Sequence, residues 1–273
     1  AIATQLGIQG RAITGAEFAA MSDAEALEQI DGIGVIARVT PEDKVRLVDT
    51  LKRRGHVVAM TGDGVNDAPA LKQSDIGIAM GITGTEVSKE AAAMILTDDN
   101  FATIVKAVEL GRGLYDNLVK YIRFQMGVLA GMIITFLGAS ILNIASGVPF
   151  LPLQTLYVNF TTQVFQSVGL GYGTPSEGLM KRAPRKPKEP ILTRADTRWF
   201  VIVGLILAIG TLGVAAGAEH GHGEKLARTM ALTTFAIANL VFSFTTRDDR
   251  RSVFSLDTFN DRMFVLASLA SAT

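Results

Sequence analysis

Two carboxylates, Asp63 and Asp67, stand four residues apart in the run V-V-A-M-T-G-D-G-V-N-D at 57–67, with Asn66 between them and Gly62 and Gly64 bracketing the first. A carboxylate pair at this spacing, with no cation inside the run, suits a hard divalent ion such as Mg²⁺. The glycines lack a β-carbon, so the backbone can bend sharply and admit a phosphate or metal. The competing reading is a polar β–α turn with a capping Asp. The apolar run at 57–60 predicts a strand buried on both faces of a parallel sheet. In such sheets chemistry collects at the carboxyl ends of the strands.

A second candidate group comes from the helix that precedes this strand. Thr40-Pro41-Glu42-Asp43 is a strong helix start, with a Thr cap, Pro at the first helical position and acids in the first turn. Lys44 therefore lies in the first turn, where it can reach the same sheet edge as Asp63. There it can neutralise a phosphoryl oxygen while the carboxylates hold the metal. A lone Lys on a helix is otherwise a solvated surface charge.

The elements needed to position these groups are legible on either side. A capped helix is predicted at 22–30, a strand at 34–38, and a helix from Pro41 to about Arg54 with Val45, Leu47, Val48 and Leu51 on its buried side. After the 57–60 strand come a short helix at 68–72, a strand at 76–80, a helix after Thr85 and a strand at 94–96. This alternation with short connections predicts a right-handed parallel sheet covered by helices.

Beyond residue 100 the chain changes character. Residues 126–144, 150–170, 199–218 and roughly 228–246 are apolar runs near the length of about 20 residues that crosses a bilayer, and a further run starts at 263. The stretch 101–125 has helical periodicity and predicts a stalk helix entering the first span, with Gly111 and Gly113 as points where it could bend. Lys and Arg concentrate in the loops at 173–198 and 247–262, which include Lys188, Arg250 and Arg251. The alternate loops carry Lys225 alone. The positive-inside rule then puts the basic loops and the α/β part on the cytoplasmic side of a multi-pass protein in the cell membrane, among its lipids.

The whole chain of 273 residues balances 26 Lys and Arg against 26 Asp and Glu, so nothing in its charge points to a nucleic-acid partner. It has no Cys, which excludes disulfides and thiolate metal sites. It starts with Ala-Ile-Ala and no signal peptide is evident, so it reads as a piece of something longer. The second apolar run is unusually polar for a span: Gln154, Thr155, Asn159, Thr161, Thr162, Gln163, Gln166 and Ser167 all fall in it. Pro152, Gly169 and Gly171 would loosen that helix and free carbonyls, which suits an ion path better than interhelical hydrogen bonding alone.

The segments T-G-D-G-V-N-D-A-P-A-L-K at 61–72 and G-I-A-M-G-I-T-G-T-E-V at 77–87 resemble the hinge region of P-type cation-transporting ATPases. The likeness is greatest to the type II, calcium-pump-like group, and extends to G-R-G-L-Y-D-N-L-V-K-Y-I-R-F at 111–124 and A-P-R-K-P-K-E-P at 183–190. The resemblance implies a haloacid-dehalogenase-like (Rossmannoid) α/β domain followed by an α-helical transmembrane bundle. Residues 1–100 would be a partial phosphorylation domain, 101–125 a stalk and 126–273 the membrane part, running into the ninth membrane helix.

Carried across, Asp63 would bind the catalytic Mg²⁺ with Asp67 in support, Lys44 would hold the phosphoryl group, and Asn66 would contact the phosphates of ATP. The family's phosphorylated Asp lies in D-K-T-G-T, which does not occur here. The expectation is that the amino-terminal actuator, nucleotide-binding and membrane segments lie elsewhere, and that this chain alone is inactive. The family's calcium-binding carboxylates are also replaced. Leu129 and Met132 stand in the fifth membrane helix, Gln163 beside Asn159 and Thr162 in the sixth, and Asn239 in the eighth. The transported cation could still be Ca²⁺, though ligand charge sets Ca²⁺ affinity and these residues supply none. A membrane-tethered phosphatase of the same fold and a catalytically silent membrane subunit are the alternative readings.

Overall fold

The computed structural model describes residues 2–173, 178–186, 189–247 and 262–272. Lys188, Arg250 and Arg251 of the basic loops lie outside the described residues. The chain divides into two compact units, Ala1–Ala107 and Val108–Thr273.

The first unit runs α1 (Ile2–Gln5), β1 (Arg11–Thr14), α2 (Gly15–Ala20), α3 (Asp23–Gln29), β2 (Ile33–Ala37), α4 (Pro41–Arg53), β3 (Ala59–Gly62), α5 (Ala68–Gln73), β4 (Ile76–Met80), α6 (Glu86–Ala91) and β5 (Met94–Leu96). Its helices begin where local hydrogen bonding dictates. Thr14 with Glu17, Ser22 with Glu25 and Thr40 with Asp43 form reciprocal capping boxes, each satisfying two amide groups that a helix start leaves unpaired.

Among the described residues all strand pairs are parallel, but they form two sheets, β1-β2 and β3-β4-β5, where one was expected. Apolar patterning identifies strands without saying which of them pair. Leu51 of α4 packs against both apolar clusters, one built on Phe18, Ile13, Ala26 and Ile30 and the other on Val48, Val58 and Ala70. Helix α4 is thus the shared support of the two sheets.

The strand expected at 57–60 is displaced. β3 occupies Ala59–Gly62, and Val57 is 62% exposed. β3 is the outer strand of its sheet, pairing with β4 alone, so only part of it is covered. Before it, Val58 is tied to the start of β4 through Asp75, whose carboxylate accepts the Val58 N–H at 2.9 Å. The shift matters for the site, because it brings the ladder up to Gly62, the residue next to Asp63.

A single helix of 42 residues, α7 (Phe101–Leu142), follows, and neither Gly111 nor Gly113 interrupts it. The second unit continues with α8 (Pro152–Tyr157), a π-helical segment at Val158–Gln163, α9 (Val164–Gly171), α10 (Arg194–His222), α11 (Glu224–Thr246) and α12 (Arg262–Ala272). Among the described residues three helices, α7, α10 and α11, are long and apolar enough to cross a membrane. The polar run expected as the second span is helical from Pro152 to Gly171 but changes winding in its middle.

Small residues let these helices approach closely, as expected where lipid gives no hydrophobic drive between them. A β-carbon at Gly131 would come within 2.7 Å of Leu207 Cδ1, and one at Gly127 within 2.7 Å of the Phe242 ring. Arg123 of α7 pairs with Asp196 in the first turn of α10 at 2.9 Å. Between α7 and α8 the chain turns through Asn143, Ala145 and Ser146, all with positive φ. Glu219 accepts the Ala145 N–H at 2.9 Å there, which helps hold the turn.

Candidate functional site

The turn after β3 is built around Asp67. This residue is 7% exposed, and Lys44 Nζ lies 2.5 Å from its Oδ1. Its Oδ2 accepts the backbone N–H groups of Asp63 at 3.3 Å and Gly64 at 3.4 Å. Burial works to raise the Asp67 carboxyl. The Lys44 ammonium and the two N–H groups outweigh it and hold the pKa below the ordinary carboxylate range. Gly62 is required by contact, because a β-carbon there would sit 2.5 Å from Asp67 Cβ.

No cation lies inside the run itself, but Lys44 supplies one from outside it. Lys44 comes from 23 residues upstream to the first turn of α4 and neutralises Asp67. This leaves the two carboxylates in different states. Asp67 has both oxygens engaged and braces the turn, whereas Asp63 and Asn66 are exposed. An open carboxylate on a glycine-bracketed turn fits Mg²⁺, which takes one or two carboxylates, keeps waters and accepts phosphate oxygens. Among the described residues no three Asp, Glu or His side chains gather into a metal cage.

Two residues that sequence reasoning missed hold this edge of the sheet. Ser88 of α6 is fully buried, and its hydroxyl lies 2.7 Å from the Thr85 carbonyl and 3.2 Å from the Asp63 carbonyl. The Thr85 N–H also donates to Asp63 O, at 2.8 Å. Thr85 capping Ser88 was a usable signal, since the side chain of an N-cap residue reaches the amide three residues on.

The second missed residue is Asp99, after β5. Its carboxylate collects the N–H groups of Gly81, Ile82 and Thr83 at 2.6, 3.1 and 2.9 Å, and the Thr83 hydroxyl at 2.8 Å. Some desolvation opposes ionisation, but these donors lower its pKa to about 2. The loop from β4 to α6 is thereby held at one end by Asp99 and at the other by the Asp63 carbonyl.

In the membrane-type unit Asn159, Thr162 and Gln163 all fall in the π-helical segment. Such segments are rare and frequent at functional sites. Gln163 Nε2 donates to Asn159 Oδ1 at 2.7 Å, bringing those two together, and the Thr162 hydroxyl returns to the Val158 carbonyl at 2.5 Å. Asn239 of α11 is fully buried, and neither polar atom of its amide has a hydrogen-bond partner among the described residues. A buried amide without partners is costly and calls for a ligand, ion or water. α11 packs against the π segment, but no bond joins Asn239 to the other three.

Comparison with known proteins follows the same division. A family model described as haloacid dehalogenase-like hydrolase matches residues 2–75, and one described as cation transporting ATPase, C-terminus, matches residues 147–273. A protein of Mycobacterium tuberculosis named probable cation-transporting ATPase F is 43% identical over 280 residues, covering 100% of this chain and 31% of that protein. A calcium-transporting ATPase of Bacillus subtilis is 40% identical over 265 residues, covering 96% of this chain and 29% of the relative. A cation-transporting ATPase of Synechocystis is 42% identical over 247 residues, with 89% of this chain and 27% of the relative covered. The chain thus spans less than a third of the length of these relatives.

Proposed function

The chain belongs to the P-type cation-transporting ATPases, and from that premise we propose that the whole protein drives a cation across a membrane by Mg²⁺-dependent phosphoryl transfer from ATP. The observation that carries the reading is the unequal carboxylate pair at the end of β3, with Asp67 held by Lys44 and Asp63 left open beside it.

In this reading Asp63 holds Mg²⁺, and Asp67 supports the site by fixing the turn and orienting Lys44. The Lys44 ammonium, fixed by one carboxylate oxygen, has further N–H donors for a phosphoryl oxygen. Asn66, exposed on the same turn, contacts the nucleotide phosphates. Bound Mg²⁺ would supply charge neutralisation at the transferring phosphoryl group. The acceptor Asp belongs to a D-K-T-G-T segment outside these residues, so the chain alone is inactive. The α/β part is cytoplasmic, and the unbroken helix α7 is the element through which phosphorylation is coupled to the membrane.

The ion path comprises Asn159, Thr162, Gln163 and Asn239. These neutral oxygens bind Ca²⁺ less strongly than carboxylates would, because affinity follows ligand charge. Ca²⁺ remains a candidate by virtue of the Bacillus relative's name. The test is ATP hydrolysis by the full-length protein with Ca²⁺, Mn²⁺, Na⁺ or K⁺. Stimulation by one of them is expected. Hydrolysis indifferent to every cation would overturn the pump in favour of a membrane-tethered phosphatase.

A further inference from the structure

We propose that Ser88, a buried serine of α6, is a positioning residue for Asp63 and thereby raises the affinity of the turn for Mg²⁺. The inference deepens the reading of Asp63 as the metal ligand and rests on it. Its starting point is that Asp63 is held through its main chain. The Asp63 N–H donates to Asp67 Oδ2 at 3.3 Å. The Asp63 carbonyl meets two donors from the start of α6, the Thr85 N–H at 2.8 Å and the Ser88 hydroxyl at 3.2 Å.

Each peptide unit is rigid, so ties to these two groups fix the planes on either side of the residue. The direction of the Asp63 Cβ is set with them, and the exposed carboxylate keeps only its side-chain rotations. A ligand aimed in advance spares metal binding the entropy of ordering the turn.

Ser88 is suited to this task by its burial and its partners. Its hydroxyl proton lies between the Asp63 carbonyl and the Thr85 carbonyl, 2.7 Å away, a three-centre arrangement common at helix ends. Thr85 Oγ1 accepts the Ser88 N–H at 3.3 Å, which seats the residue in the first turn of α6. The side chain is fully buried, so water does not compete for the hydroxyl. An alanine at position 88 would leave the Asp63 carbonyl its bond from the Thr85 N–H. The variant therefore keeps the fold and loses one tie.

The experiment compares wild type, Ser88→Ala and Ser74→Ala in the full-length protein. Ser74→Ala controls for the loss of a hydroxyl, since that group bonds the Leu71 carbonyl instead, at 2.8 Å. In metal-free protein, hydrogen exchange of the Asp63 and Gly64 amides should quicken in Ser88→Ala alone. The Gly64 N–H reports the tie because it shares a peptide unit with the Asp63 carbonyl. The Mg²⁺ concentration giving half-maximal phosphoenzyme should rise about tenfold in Ser88→Ala, the lower end for loss of a group that orients a metal ligand. The level reached at saturating Mg²⁺ should be kept. Unchanged exchange, an unchanged half-saturation, or an equal shift in Ser74→Ala would overturn the proposal. Asp63→Asn, measured alongside, separates that failure from failure of the metal reading. If Asp63→Asn forms no phosphoenzyme while Ser88→Ala matches wild type, the role of Ser88 alone falls.

Discussion

Lys44 reaches Asp67 across 2.5 Å, joining the first turn of α4 to the turn after β3. The pair explains why two carboxylates four residues apart are not equivalent. One is neutralised and nearly buried, and the other faces outward on the same turn. In the proposed phosphate site the cation is already in place before any ligand arrives.

Replacing Lys44 by Met should therefore harm both structure and chemistry. Asp67 would be left as a buried carboxylate without its charged partner, a loss of about 1–3 kcal/mol. Hydrogen exchange of the 63–67 amides in the full-length protein should accelerate, and phosphorylation by ATP should fall by about two orders of magnitude, the scale for loss of a preorganised charge-stabilising donor. Unchanged exchange would remove Lys44 from the support of the turn.

The Asp99 clamp predicts a specific pH dependence. Its folded-state pKa is lowered to about 2, so the stabilisation is fully present above the ordinary carboxylate range and fades as pH falls towards 2. At neutral pH, Asp99→Asn should speed exchange of the Gly81, Ile82 and Thr83 amides at least about tenfold, the scale of one charge-assisted hydrogen bond. As the medium is acidified through the pH 4 to 2 range, the unfolding midpoints of wild type and Asp99→Asn should converge. A difference that grew on acidification would contradict the clamp.

Gln163→Ala removes the amide that donates to Asn159 Oδ1 and one proposed oxygen of the ion path. Apparent affinity for the transported cation should drop by about tenfold, the equivalent of roughly one net hydrogen bond. Ion uptake into vesicles containing the full-length variant measures this directly. An unaltered concentration dependence would take Gln163 out of the path.

Much of this arrangement was legible in the chain because its signals are local. Thr40-Pro41-Glu42-Asp43 starts α4 through a capping box, and β4 and β5 fall on the apolar runs predicted at 76–80 and 94–96. β1 escaped notice because it has four residues, although its last residue, Thr14, carries a cap signature with Glu17. The offset of β3 depended on its outer position in the sheet, which patterning does not encode. The π segment was equally hidden, since a local change of winding leaves composition untouched. In the site, residue types pointed to Asp63, Asn66, Asp67 and Lys44. That Lys44 pairs with Asp67, and that Ser88 and Asp99 brace the neighbouring loop, depends on contacts across at least 16 residues of sequence.

The measurement closest to the central claim is phosphoenzyme formation from labelled ATP by the full-length protein, compared with its Asp63→Asn variant at varied Mg²⁺. The wild type should form a Mg²⁺-dependent phosphoenzyme that responds to one transported cation, and Asp63→Asn should form none. Normal phosphoenzyme levels in Asp63→Asn would contradict the assignment of the open carboxylate as the metal ligand of a cation pump.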